Sequence, residues 1–130
     1  MIQTILCAVD VNRVKDEVKV LQTAARLAAA EGAQLDVITV LPDYGMSWVG
    51  GYFDEQHTKD ARDKVKQALH EVRHLVAVGT AYHEILETAK KDGADLIVLG
   101  AHRPDLKDYL LGPNAARVVR HSKCSVFVVR

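Results

Sequence analysis

The chain has little that would tie it to an export route, a membrane or a polyanion. It has two cysteines in 130 residues, Cys7 and Cys124. Both sit inside apolar strand-like runs and read as small buried thiols of a reducing compartment. No run approaches the roughly twenty apolar residues of a membrane span. The opening Met1 to Leu6 lacks a basic leader stretch, and Asp10 arrives before an export-signal core could form. Lys and Arg total 17 against 17 Asp and Glu, so the general attraction that draws a protein to nucleic acid or an anionic membrane is missing. Aromatics are scarce, at one Trp, four Tyr and two Phe, and four of the seven fall in one stretch, Tyr44 to Phe53. These absences predict a cytoplasmic, soluble protein with no nucleic-acid partner and no membrane span. At this length residues 1–130 make one domain, large enough to hold a core without disulfide or structural metal.

What is present is a regular alternation. Thr4 to Val9 is a short apolar run of the kind buried on both faces. Val14, Val18, Leu21, Ala25 and Ala28 repeat at helical spacing until Gly32 closes the segment. Leu35 to Leu41 is a second strand, ended by Pro42. After the aromatic loop, Ala61, Val65, Ala68, Leu69 and Val72 mark a second helix. A brief third strand spans Leu75 to Val78, and a third helix from about Ala81 puts Ile85, Leu86 and Ala89 inward before Gly93 stops it. Ala94 to Gly100 is the strongest strand signal in the chain. A loop leads to Gly112, a short helix carries Ala115, Val118 and Val119, and Ser125 to Val129 is the last strand. Such alternation predicts a single doubly wound, Rossmann-like α/β domain: a five-stranded parallel sheet with helices on both faces.

In open sheets of this type ligands bind beyond the carboxyl ends of the strands, where the strand order reverses. That points to Asp10 and its neighbours after the first strand, and to Gly100 onward after the fourth. Gly100 at a strand end lets another group approach the backbone. Gly112, opening a helix, exposes unpaired N–H groups where the helix dipole favours an anion such as phosphate.

The run Ala94-Asp95-Leu96-Ile97-Val98-Leu99-Gly100-Ala101-His102, followed by Leu110-Leu111-Gly112 and the ending Val118 through Arg130, resembles the universal stress protein family. Gly79 before Glu84-Ile85-Leu86 and the opening Ile5-Leu6-Cys7-Ala8-Val9-Asp10 resemble it too. The likeness is strongest from Gly79 onward and weakest between Pro42 and His74. It implies an ATP or AMP ligand, with or without Mg²⁺. Asp10 and the backbone of Ala8 and Val40 would flank the base, with Val9 and Leu99 beside them. Gly100, His102 and Arg103 would lie along ribose and phosphates, and Gly112, Pro113, Asn114 and Ala115 would form the helix start.

ATP-binding members carry glycine, two residues, glycine, nine residues, then glycine and a hydroxyl residue. Here Arg103 stands at the second glycine, the interval to Gly112 is one residue short, and Pro113 replaces the hydroxyl. A subgroup with His-Arg-Pro and Leu-Leu-Gly-Ser-Asn-Ala is a nearer match, with Pro113 the one departure. Proline suits the first helical position but removes a phosphate donor together with the hydroxyl; Arg103 or Lys107 would compensate in part.

Other patterns carry less. His70-Glu71-Val72-Arg73-His74 spells a zinc-protease motif, but it runs out of a helix into a strand and no third ligand follows. A receiver domain would need an acidic pair where Asp10 stands alone, and no Ser/His/Asp or Cys/His set suggests an enzyme beyond slow ATP hydrolysis. The aromatic loop is equally readable as a lid, a partner surface or a cap on the sheet. Charged helix faces around Lys15, Asp16 and Glu17, and around Lys64 and Lys66, read as solvated surface. The strand Ser125–Val129 would leave a bare edge unless a twin subunit pairs with it, which predicts a homodimer, as the family resemblance also implies. The expected function is nucleotide-responsive regulation through an unidentified protein partner. The alternative is a nucleotide-independent interaction module.

Overall fold

The computed structural model describes residues 1–10, 14–41, 72–101 and 112–130. Within them the chain forms β1 (Thr4–Val9), α1 (Val14–Glu31), β2 (Gln34–Leu41), β3 (Arg73–Val78), α2 (Ala81–Asp92), β4 (Leu96–Gly100), α3 (Pro113–His121) and β5 (Ser125–Val129). The strands pair in parallel in the order β3-β2-β1-β4-β5. The doubly wound sheet is therefore present as expected. The expected helix from Ala61 and the Tyr44–Phe53 loop lie outside the described residues.

The strand residues divide between two cores because successive side chains point to opposite faces. Ile5, Cys7, Val9, Leu35, Val37, Leu96 and Val98 pack on one face with Val20, Leu21, Ala24 and Ala28 of α1. Leu6, Ile38, Ile97 and Leu99 pack on the other with Ile85 and Ala89 of α2 and Ala115 and Val118 of α3. Ile5, Leu6 and Ile97 are fully buried, and each such side chain contributes roughly 2–3 kcal/mol.

Several helix positions depart from expectation. Val18, predicted to face inward, is 40% exposed; the buried stripe of α1 is Val20, Leu21, Ala24 and Ala28. Val119 is likewise exposed at the outer side of α3. Cys7 is buried, but Cys124 is only half-buried, its Sγ 3.4 Å from Ser122 Oγ. Gly32 and Gly93 both adopt left-handed φ of 63° and 64° past helix ends, the backbone state that costs other residues most.

The amino end of the sheet is closed by charge. Asp95 Oδ2 accepts from the backbone N–H groups of Gln3 at 2.8 Å and Thr4 at 3.0 Å. These bonds hold its carboxyl below the usual aspartate range. Asp36, 1% exposed, accepts from Arg73 Nη2 at 2.7 Å and Nε at 3.2 Å, and Arg73 reaches Asp92 at the end of α2 as well. β3 thus starts at Arg73, earlier than its apolar run suggests, because Arg73 pairs in register with Asp36. Burial pushes the Asp36 carboxyl up, aided by the neighbouring Asp92, against the pull of Arg73 and Gln34.

Candidate functional site

The strand order reverses between β1 and β4, so the crevice opens where these two neighbours end. The paired residues Cys7 and Val98 are followed two positions later by Val9 and Gly100. Asp10, just past β1, is exposed. Ala8 and Val40, both half-buried, lie on the α2–α3 face with buried Leu99. Val9 lies on the α1 face. Asp10, Ala8, Val9, Val40, Leu99 and Gly100 thus gather around the carboxyl ends of β1, β2 and β4.

The start of α3 is fixed to this rim by the backbone. Gly112 N–H donates to Ala101 O at 2.9 Å, and Ala101 N–H donates to Val129 O at 2.8 Å. The chain leaving β4 and the chain entering α3 therefore meet at Ala101, beside β5. Gly112 is the N-cap, extended at φ −69° and ψ 168°, with no side chain to cap the helix, and Pro113 follows in the first turn. The first intrahelical bond runs from Ala116 N–H to Gly112 O at 3.0 Å. Asn114 and Ala115 are the N–H groups of this turn left without an intrahelical acceptor, since Pro113 has none. Two outward amides on a helix dipole make a site for one oxyanion, weaker than the usual three.

Gly79 positions the neighbouring helix. Its N–H donates to Leu41 O at 2.8 Å, and its φ of 147° is accompanied by Glu84 folded over the Cα. A Cβ there would stand 2.8 Å from Glu84 Oε1, so the family-like glycine is required twice. Tyr82, one residue into α2, lies under the Arg117 guanidinium of α3 at 5.0 Å from the ring centroid, a cation–π contact joining the two helices.

Glu17 is the residue sequence reasoning missed. Read as solvated, it is half-buried and turns its carboxylate toward the end of β4. A Cβ on Gly100 would meet Glu17 Oε2 and Val20 Cγ2 at 3.3 Å each. The side of Gly100 that lacks a Cβ is thus filled by α1. Burial, with the Glu17 charge adding, holds the Cys7 thiol protonated far above its usual range; Cys7 is therefore no nucleophile. The signal was available: Glu17 precedes Val20, Leu21, Ala24 and Ala28 by three, four, seven and eleven residues, in phase with the buried stripe.

His102, Arg103 and Lys107 lie outside the described residues. His74 stands in β3, paired with Val37, so it cannot complete a helical His-x-x-x-His face. Among the described residues no cluster of three or more His, Cys, Asp or Glu side chains could hold a metal ion, and no helix is long and apolar enough to cross a membrane.

A parallel sheet wound on both faces, with a glycine-lined crevice at the point of strand reversal, defines a Rossmann-like α/β domain of the small-ligand-binding type. Residues 1–130 match the model of the universal stress protein family, and the chain belongs to that family. Universal stress protein A homolog 1 of Coxiella burnetii is 30% identical, over 96% of this chain and 94% of that one. The structure of universal stress protein UspA from Lactobacillus plantarum superposes with a TM-score of 0.79 at 25% identity, covering 98% and 97% of the two chains. The universal stress protein from Archaeoglobus fulgidus, solved in complex with dAMP, matches in fold at TM-score 0.71 and 22% identity over the full length of both chains.

Proposed function

We propose that this protein binds an adenine nucleotide in the crevice between β1 and β4, and acts through that binding as a cytoplasmic regulatory module. The observation that carries the reading is the backbone link from Gly112 to Ala101, which sets the open amides of Asn114 and Ala115 beside the carboxyl end of β4. In this reading Ala8, Val9, Asp10, Val40 and Leu99 flank the base, and Gly100 adjoins the ribose. The α3 start, through Gly112, Pro113, Asn114 and Ala115, takes one phosphate, with His102 and Arg103 alongside and Mg²⁺ optional. The dAMP complex of the Archaeoglobus fulgidus protein is the fold-level precedent. No residue is assigned a catalytic role.

The same reading includes a homodimer through β5. That strand ends the sheet, and its Phe127 is 43% exposed beside an unpaired backbone edge, a surface that a second copy would cover. A dimeric mass by light scattering at micromolar concentration is expected; a monomeric mass would count against it.

Isothermal titration with AMP tests the nucleotide site. One site per subunit with micromolar affinity is expected. No heat up to millimolar AMP would transfer the function to the second reading, a nucleotide-independent interaction module, which Pro113 in the first turn of α3 favours.

A further inference from the structure

We infer that Glu17 is a specificity-determining residue of the crevice, and that it makes the site select a nucleoside or nucleoside monophosphate over a polyphosphate. The inference rests on the nucleotide reading above and refines it. Glu17 is carried by the first part of α1, on the wall of the crevice opposite α3. Its Oε2 and Oε1 lie 3.3 and 3.8 Å from the position a Gly100 Cβ would occupy, so the carboxylate rests directly on the carboxyl end of β4. Gly100 makes that approach sterically free, and Val20 of the next turn packs at the same 3.3 Å.

A carboxylate only accepts hydrogen bonds. It therefore suits the parts of a nucleotide that donate them, the ribose hydroxyls and the exocyclic amine, and repels the parts that are anionic and only accept. Across the crevice the α3 start has two open amides after Pro113, enough for one phosphate group. A second and third phosphate would add negative charge near Glu17 with no further amide to receive it. In a partly buried setting a unit charge within about 8 Å changes affinity by roughly tenfold or more. Charge on one wall and a shortened donor set on the other thus act in the same direction.

The test is titration of wild type, Glu17→Gln and Glu17→Asp with adenosine, AMP and ATP in magnesium-free buffer, with circular dichroism checking each fold. Wild type should bind adenosine and AMP about tenfold tighter than ATP. Glu17→Gln should shrink that gap about tenfold, mainly by tightening ATP, and Glu17→Asp should fall between. If Glu17→Gln fails to fold, the Glu17→Asp ratio decides. An ATP preference in wild type, or a ratio unchanged by either substitution, would overturn the role of Glu17 and leave the nucleotide reading standing. Absence of binding by all three ligands to wild type and variants would overturn both.

Discussion

The two ends of the sheet are built on opposite principles. At the amino end, polar groups are paired off: Asp95 closes on the N–H groups of Gln3 and Thr4, and Arg73 bridges Asp36 and Asp92. At the carboxyl end, glycines replace side chains, a helix begins without a side-chain cap, and Glu17 leans on bare backbone. Satisfied groups hold elements together and leave a ligand little to bind. Open amides and close backbone approaches contribute less to stability but leave donors for something else. Buried polar groups cost free energy unless paired, so the open end is where a ligand would complete the structure.

Substitutions at the two ends should separate along that line. The largest loss is expected at the closed end, from Arg73→Ala, which strips the buried Asp36 of its cation. Breaking a fully buried pair costs about 3–5 kcal/mol, and the 54% exposure of Arg73 reduces the expectation to about 2 kcal/mol in urea melts at neutral pH. Without the guanidinium both carboxyls lose a cause that lowers them, so the folded variant takes up protons more readily. Its deficit should therefore shrink as pH falls from 7 toward the aspartate range. A deficit that grew on acidification would break the assignment.

Next comes Gly79→Ala, which combines an unfavourable φ with a contact of 2.8 Å to Glu84. It should cost roughly 1–3 kcal/mol, read as a lower thermal midpoint. If Gly79→Ala melted like wild type, the close fit of Glu84 over the β3–α2 turn would be wrong.

Pro113→Ser, at the open end, should change binding instead. Restoring a donor toward a charged partner is worth about 1.5 kcal/mol or more, about tenfold tighter AMP, with stability within about 0.5 kcal/mol of wild type. A variant that gained stability but no affinity would reverse the contrast between the ends.

The smallest effect belongs to Asp95→Asn, an exposed position. Its folded-state carboxyl is held below the unfolded value of 3.8, so its contribution is present above that pH and is lost as pH falls through the lower folded value. Wild type should exceed the variant at neutral pH, and the two should converge in strong acid.

Much of this was legible in the sequence where burial is complete. Thr4–Val9 and the core of the Leu96–Gly100 strand read as strands because both faces are covered, which forces a nearly continuous apolar run. The start of β3 was less legible, because Arg73 and His74 look polar and only their register partners Asp36 and Val37 make them strand residues. Asp95, expected within the fourth strand, stands just before it, with its own N–H on Thr4 O and its carboxylate on the β1 amides. On α1, Val18 drew the predicted stripe one position off, and that error sent Glu17 to solvent. A charged residue in phase with a buried stripe is the pattern that would have corrected both. The crevice position followed from the strand-reversal rule, whereas the link of Gly112 to Ala101 depends on a main-chain hydrogen bond that side-chain patterns do not encode.

The central claim is a ligand site at the open end, and amide chemical shifts followed during AMP titration test it most directly. The account predicts shifts concentrated at Asp10, Val40, Gly100, Ala101 and Gly112 to Ala115, with the Gln3, Thr4 and Asp95 amides unmoved. Shifts confined to the amino end, or none up to millimolar AMP, would contradict it.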